Sequence, residues 1–399
     1  MNFIPKVNES TYYLGVNDRS KPLFENLWPL PKGVSYNSYL IKDEKNVLID
    51  AVDICYAQRF FSLLETALDG EQLDYLIINH MEPDHSGSIE LLRTKYPDVK
   101  IVGNKKTLSM LEGYFGITEG VVEVGEDTPL KIGAERELSF VLAPMVHWPE
   151  VMFTYDKSEK TLYSIDAFGS FGTVDGGIFD EQIDHHDNLD EAYRYYSNIV
   201  GKYGSFTQKA LQKASTLEIE TICPSHGPVW RKYVKEIIEV YDKLSRYEGD
   251  PGVVVIVGSM YGNTEEYAEL VGRSLGAHGV KRVKIHHLAK SHPSYIIADV
   301  FRYNGLIIGS PTYNNELWPP VESILRQLVS RNIPSRYFAT FGSGSWNPNV
   351  SRHFDALLEK QKWERVGESI QFKMHMSEQD GAAAWKLGEE MAQAVLSKK

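Results

Sequence analysis

Short apolar runs alternate with polar, turn-rich stretches along the chain, and the character of that alternation changes near residue 250. Before that point NVLID, YLIINH, SFVLAP, TLYSID and ETICP read as strands, each bounded by polar residues. SIELLRTKY and YVKEIIEVYDKLSRY carry the spacing of amphipathic helices, the first beginning near Ser88. The stretch SRYEGDPG is polar and rich in turn formers, and VVVIVG directly after it is a continuous apolar run of the kind shown by a strand buried on both faces. A boundary is therefore expected there, with residues 1–249 forming one domain and 250–399 the next. Beyond it the order is more regular: VVVIVG, a helix from Thr264 to Leu275, VKIHHL, LIIGS, a helix from Glu322, YFATFG, ESIQF and a closing helix from about Gly381. Strands with helices between them predict a doubly wound parallel sheet, which binds ligands at the carboxyl ends of its strands.

Composition narrows the function. The 399 residues are 42% hydrophobic and 24% charged, an ordinary globular balance, and their length suits two or three domains. Forty-two basic against 54 acidic side chains leave a formal charge of −12 with no Lys/Arg-rich run, so nucleic acid is not an expected partner. No apolar run approaches the ~18–20 residues that span a bilayer. The opening MNFIPKVNES lacks the features of a signal peptide, and a cytoplasmic protein without membrane contact is expected. Cys55 and Cys223 are the only cysteines, which excludes a disulfide framework, a Cys-rich zinc site and a cysteine-ligated iron–sulfur centre. Any metal must be held by His, Asp and Glu.

Those residue types concentrate in INHMEPDHSG, where His80, Glu82, Asp84 and His85 lie within six residues at the end of an apolar run. On a strand they would alternate faces and on a helix they would spread around it, whereas on a turn they can converge. A polar loop capping the next helix would look similar. Three further residues favour a metal: His147 in APMVHWPE, Asp166 in YSIDAFG and His226 in CPSHGPVW, each after a strand-like run. Seven ligands are too many for one ion but suit two that share a carboxylate. His185 and His186 lie in a polar stretch read as solvated loop or helix start. His286 and His287 lie in a strand-like run, one expected to pack and the other to face water. Neither pair is assigned to the chemistry.

HMEPDH, followed by His147, Asp166 and His226 at offsets of 62, 19 and 60 residues, resembles the metallo-β-lactamase-like superfamily, a four-layer αβ/βα sandwich. Zinc hydrolases of that superfamily usually carry His where this chain has Glu82, and the H-x-E-x-D-H form instead resembles the diiron centre of the flavodiiron proteins. That resemblance implies one iron on His80, Glu82 and His147, a second on Asp84, His85 and His226, and Asp166 as the bridge. Three carboxylates supply hard, anionic donors suited to irons that pass through the ferric state.

In the second half, VVVIVGSMYGNTEEYAELV reads as strand, small-residue loop and helix. Ser259, Met260, Tyr261, Gly262, Asn263 and Thr264 offer hydroxyls and backbone N–H groups at a helix N-terminus, a site fit for phosphate. No Gly-Lys-Ser/Thr follows and no G-x-G-x-x-G opens the helix, which excludes a P-loop and a dinucleotide fingerprint. GSPTYNNELWPP and FGSGSWNPN are further polar loops bearing aromatics at strand ends. The arrangement resembles flavodoxin. The resemblance implies phosphate on the first loop and the isoalloxazine against Pro311, Thr312, Tyr313, Asn314 and Asn315, and against Gly342, Ser343, Gly344, Ser345 and Trp346. Tyr313 and Trp346 are then the ring neighbours, and the single phosphate turn points to FMN rather than FAD.

The order of the two modules is itself similar to that of the flavodiiron proteins, and the resemblance covers nearly the whole chain. It implies an oxidoreductase that reduces O2 to water, NO to N2O, or both. Two reduced irons and a reduced FMN hold the four electrons that O2 requires and more than the two needed to couple two NO. Longer members carry a rubredoxin domain needing four cysteines. With two in this chain, an external donor such as rubredoxin or a reduced flavin or deazaflavin system is expected. The family resemblance also implies a head-to-tail homodimer or a dimer of dimers. Trp148, and Tyr195 or Tyr196, would line the pocket or pack beside it. Two alternatives remain at this level: a zinc hydrolase fused to a flavodoxin module, and a non-catalytic FMN electron carrier.

Overall fold

Two β-sheets pack face to face to make the core of the first half of the chain. The computed structural model describes residues 3–397, which divide into two compact units, Met1–Ser245 and Arg246–Lys399. In the first unit, one sheet runs in the order Thr11–Tyr13, Tyr39–Ile41, Val47–Ile49, Tyr75–Ile77, Lys100–Gly103, Val121–Glu123. Its first two pairings are antiparallel and the remaining three parallel. The other sheet runs Leu130–Lys131, Glu137–Leu142, Met152–Asp156, Thr161–Ile165, Thr221–Pro224, with only the last pairing parallel.

Ile41, Ile49, Ile77 and Val102 of one sheet meet Leu138, Phe140, Met152 and Tyr163 of the other in a single buried cluster. Helix Lys105–Phe115 covers the outer face of the first sheet and Gly204–Ala214 that of the second, completing a helix–sheet–sheet–helix sandwich. The outer helices are amphipathic for the expected reason. Ala57–Leu68 buries Phe60, Leu64, Ala67 and Leu68, one stripe at helical spacing. It ends where Asp69 turns left-handed (φ 50°) and its N–H returns to the Glu65 carbonyl.

The second unit is a parallel sheet in the order Val283–His287, Asp250–Val257, Tyr303–Tyr313, Tyr337–Gly344, with Glu364–Arg365 and Ile370–Lys373 sharing the place beside the fourth strand. This is the doubly wound order expected from the alternation. Val253, Val255 and Val257 pack with helices Asn263–Ala277 and Glu378–Ser397. Val254 and Ile256, on the opposite face, are just as buried, which explains the uninterrupted apolar run. At the start of the fourth strand the buried Arg336 guanidinium donates to the carbonyls of Val300, Phe301, Tyr247 and Ser335.

Several details differ from the sequence reading. Strands Lys100–Gly103 and Met152–Asp156, and the hairpins pairing Val16–Asp18 with Val34–Tyr36 and Leu23–Phe24 with Trp28–Pro29, were not anticipated. The helix expected from Glu322 starts at Pro319, because two prolines occupy its first turn, where a missing N–H costs nothing. His286 and His287 do not divide into one packed and one solvated residue. Both are half-buried, His286 bonding to Asp299 at 2.7 Å and His287 Nδ1 accepting from the Ala289 N–H at 3.1 Å. His185 does open a helix, His185–Tyr195, with Asp184 as its cap.

Candidate metal centre and flavin cradle

All seven metal-ligand candidates lie just past strand ends of the two sheets, and local bonding aims them inward. Beyond strand Tyr75–Ile77, the Asn79 N–H and side-chain amide donate to Asp50 (2.7 and 2.9 Å), and its side-chain oxygen Oδ1 accepts from the Thr154 hydroxyl (2.8 Å). His80 follows in a fixed direction. Glu82 occupies the N-cap position of Pro83–Ser86 but makes no side-chain cap. Its carboxylate turns instead to His147 (3.0 Å) and His80 (3.3 Å). Asp84 and His85 therefore lie on one turn of α-helix rather than on a plain turn. Asp166 follows strand Thr161–Ile165 between two left-handed residues, Ile165 (φ 48°) and Phe168 (φ 67°). A β-branched residue there is strained by about 1–3 kcal/mol. The bend is held by Ser164 Oγ donating to the Ala167 carbonyl and the Ser225 N–H to that of Ile165. His226 donates from Nδ1 to the Ser35 carbonyl at 2.7 Å, which leaves Nε2 to face inward.

The seven residues converge as two sets. Ligand atoms of His80, Glu82, His147 and Asp166 lie within 4.8 Å of one another, as do those of Asp84, His85 and His226, and all seven residues are buried. Asp166 joins the sets through its two oxygens. Oδ2 lies 3.1 Å from His147 Nε2 and 3.5 Å from His80 Nε2, while Oδ1 lies 3.0 Å from His85 Nε2 and 3.5 Å from His226 Nε2.

The electrostatics match a cation site. Burial disfavours charge on His147, but hydrogen bonds with Asp166 and Glu82 outweigh it and raise the imidazole to about 9. His85 reaches about 9 for the same reason, burial being overcome by Asp84 and Asp166. Burial likewise opposes ionisation of Glu82 and Asp166, yet the surrounding histidines hold both well below the usual carboxylate range. Both oxygens of Asp84, both ring nitrogens of His85 and Nε2 of His226 are buried without a hydrogen-bond partner. Orphaned acceptors and imidazoles facing one another are costly. Cations would satisfy the atoms among them that face the site, and two imidazoles plus a carboxylate in each set, with a shared carboxylate, suit a pair of irons. Aromatic rings close round the site. Phe24, Tyr36 and Tyr195 stand 5.3, 5.8 and 5.5 Å from His226, and Trp148 stands 5.1 Å from His80. Tyr196 instead packs against Tyr241.

In the second unit, the loop after strand Asp250–Val257 turns at Gly262 (φ 101°), whose N–H donates to Ser259 Oγ at 3.0 Å before helix Asn263–Ala277 begins. Thr264 and Ser343 hydroxyls bond at 2.8 Å and tie the first loop to the third. Ser259, Met260, Tyr261, Asn263, Thr264, Pro311, Thr312, Ser343, Gly344, Ser345 and Met374 line a cavity of about 70 Å³. Gly342 does not line it. It sits in the strand against Val350, where a Cβ would lie 1.9 Å from a methyl carbon. Asn314 and Asn315 form a left-handed turn outside the cavity. Tyr313 and Trp346 do not line it either; each follows a lining residue in sequence and is exposed, by 42% and 81%.

Comparisons with known proteins match both units. Residues 34–227 match the ODP family beta-lactamase model and residues 255–386 the flavodoxin model. An anaerobic nitric oxide reductase flavorubredoxin of Vibrio vulnificus is 32% identical over 91% of this chain and 76% of its own length. The chain belongs to the flavodiiron protein family. Among solved structures, the rubredoxin oxygen:oxidoreductase of Desulfovibrio gigas superposes with TM-score 0.93 at 26% identity over 99% of both chains. The flavodiiron protein of Giardia intestinalis gives 0.94 at 26% identity over 100% of this chain and 98% of its own. Within this flavodiiron chain, three neighbours of the sites went unread in the sequence. Glu150 bonds His80 (2.6 Å), Ser225 bonds Asp166 (2.7 Å), and Met374 lines the flavin cavity. The only signals were polar residues beside assigned ligands, WPE after His147 and PSH before Gly227.

Proposed function

We propose that the chain is a diiron flavoprotein oxidoreductase that reduces O2 to water, NO to N2O, or both, with electrons passed from an external donor through FMN. The observation that carries this reading is Asp166, buried and presenting one oxygen to each of two ligand sets. His80, Glu82 and His147 would hold one iron, Asp84, His85 and His226 the other, and Asp166 would bridge. FMN phosphate would sit on Ser259–Thr264, with its ring against the loops at Pro311–Asn315 and Ser343–Trp346. Loaded together, the irons and flavin would supply the four electrons that complete O2 reduction without free superoxide or peroxide. Relatives that cover both units include one named as an anaerobic nitric oxide reductase and one as a rubredoxin oxygen:oxidoreductase, and neither the hydrolase nor the plain carrier reading has comparable support.

The protein's own residues prepare the site. Phe24, Tyr36, Tyr195 and Trp148 exclude bulk water from the ligands, which strengthens every charge interaction there. The Tyr195 hydroxyl is buried and lacks a hydrogen-bond partner. Burial, with Asp166 and Asp84 nearby, holds it well above its ordinary value, so it keeps its proton at neutral pH. It is thus a neutral hydrogen-bond donor available beside the bridge. A rubredoxin-like or reduced-flavin donor is the proposed electron supply. Head-to-tail pairing of chains and cytoplasmic residence complete the reading. Among the described residues no helix is long and apolar enough to cross a membrane.

The test uses anaerobically reduced protein, its flavin spectrum recorded first, offered O2 and NO separately with consumption followed by electrode. Faster loss of one gas names the substrate and equal loss means both. Loss of neither refutes the proposal, and zinc in the metal analysis would then favour a hydrolase.

A further inference from the structure

The two ligand sets offer the same formal donors, two imidazoles and one carboxylate each, with Asp166 between them. Their surroundings are not the same. On the first set, His80 Nδ1 donates to Glu150 Oε1 at 2.6 Å. Glu150 is 1% exposed; its Oε1 also accepts from the Met81 N–H at 3.0 Å, and its Oε2 has no partner. Its carboxylate charge is therefore focused on His80. On the second set, His226 Nδ1 meets only the neutral Ser35 carbonyl at 2.7 Å, and His85 Nδ1 has no hydrogen-bond partner. Asp50, the other buried acid close by, accepts its hydrogen bonds from Asn79 and none from a ligand histidine, and its charge acts at longer range on His85 and His80 alike. Asp166 is also lopsided. Oδ1, the oxygen facing His85 and His226, accepts from Ser225 Oγ at 2.7 Å, whereas Oδ2 faces His147 and His80.

Both asymmetries act in one direction. A carboxylate on the remote nitrogen makes an imidazole a stronger donor and adds negative charge near its metal. A hydroxyl donating to a carboxylate oxygen withdraws density from it. Resting on the proposed ligand assignment, we infer that Glu150 and Ser225 make the two irons unequal. The iron on His80, Glu82 and His147 is the electron-rich one and keeps its ferric state longer. The iron on Asp84, His85 and His226 takes the first electron. Glu150 and Ser225 are positioning residues that act through His80 and Asp166. Each iron accepts one electron, Fe(III) to Fe(II), and the gap between the two acceptances sets how much half-reduced centre accumulates.

The experiment loads the full-length flavoprotein with ⁵⁷Fe, counts iron per chain and titrates it anaerobically with dithionite. Electron paramagnetic resonance quantifies the half-reduced centre, and Mössbauer spectra count each oxidation state. The wild type is expected to bind two irons and to accumulate a half-reduced signal. Glu150→Gln keeps the shape and removes the charge. It should cut that signal severalfold and make the second electron easier to add, and iron affinity should fall by roughly 10–100-fold. Glu150→Asp should restore part of the signal. Ser225→Ala tests the other arm without touching His80. It should also shrink the signal, but by making the first electron harder to add. An unchanged half-reduced population in Glu150→Gln and Ser225→Ala, both with two irons bound, overturns the inference, as do shifts of the same sign in the two variants. Fewer than two irons per wild-type chain overturns the ligand assignment itself.

Discussion

At the scale of single residues, Asp166 carries the most. Replacing it with Asn removes the charge that both sets face while keeping its size. Iron content should fall below two per chain and gas consumption should be lost, with the flavin spectrum intact. Full turnover by that variant, measured with the same electrode, would refute the bridge. Tyr195→Phe separates chemistry from stability. The hydroxyl has no partner, so deleting it should leave thermal stability unchanged or slightly raised. Turnover should fall by a factor of roughly 10² or more if that hydroxyl donates to the reacting gas, and a drop in melting temperature without a drop in rate would contradict the assignment. The seven candidate ligands were legible in the sequence because they are titratable residues gathered at or just beyond the ends of apolar runs. Glu150 was not, because its meaning lies in a contact with a residue 70 positions away. Ser225 is a small hydroxyl next to a ligand, and nothing in its type distinguishes a bond to Asp166 from solvent.

At the scale of elements, the cap of helix Lys105–Phe115 reaches the same neighbourhood. Asn104 accepts from the N–H groups of Lys106 (3.0 Å) and Thr107 (3.2 Å), and its amide donates to the Glu150 carbonyl. Asn104→Ala should cost about 1–2 kcal/mol as a lost cap. In a unit of this size that lowers the melting temperature by roughly 2–8 °C. It should also loosen His80 through Glu150, so calorimetry and iron retention should fall together. A loss of stability with full iron retention would limit Asn104 to capping. The parallel sheet of the second unit was readable because its strands are continuous apolar runs, buried on both faces. The N-terminal hairpins were not, because strands of two or three residues set among polar ones leave no period to detect. Asp84 and His85 were expected on a plain turn. One helical turn formed there because Pro83 presets the first helical position and the Glu82 carbonyl accepts from His85 and Ser86.

At the scale of the whole molecule, the units have separate cores, and metal should stabilise only the first. Stripping metal with a chelator should lower one calorimetric transition and leave the flavodoxin-like one in place. The loss would be about 4 kcal/mol if free metal stood at a thousandfold its Kd. A single transition that does not move would argue against metal at the proposed ligands. Head-to-tail pairing predicts that activity per chain collapses on dilution to monomer, and constant activity under stopped-flow dilution would rule that pairing out. The exposed Tyr261, Trp346 and Met374 beside the flavin loops are the surface such a pairing would cover.

The orphaned atoms of Asp84, His85 and His226 have a consequence for how the protein is made. Buried ligand atoms left without partners are a debt that any suitable divalent ion can discharge, and zinc outranks ferrous iron in intrinsic affinity for such ligands. The identity of the metal is then decided by what the cell offers while the chain folds. Two preparations with the same sequence and the same flavin content should differ in specific activity according to the iron-to-zinc ratio of the growth medium, which makes metallation history a property of each batch.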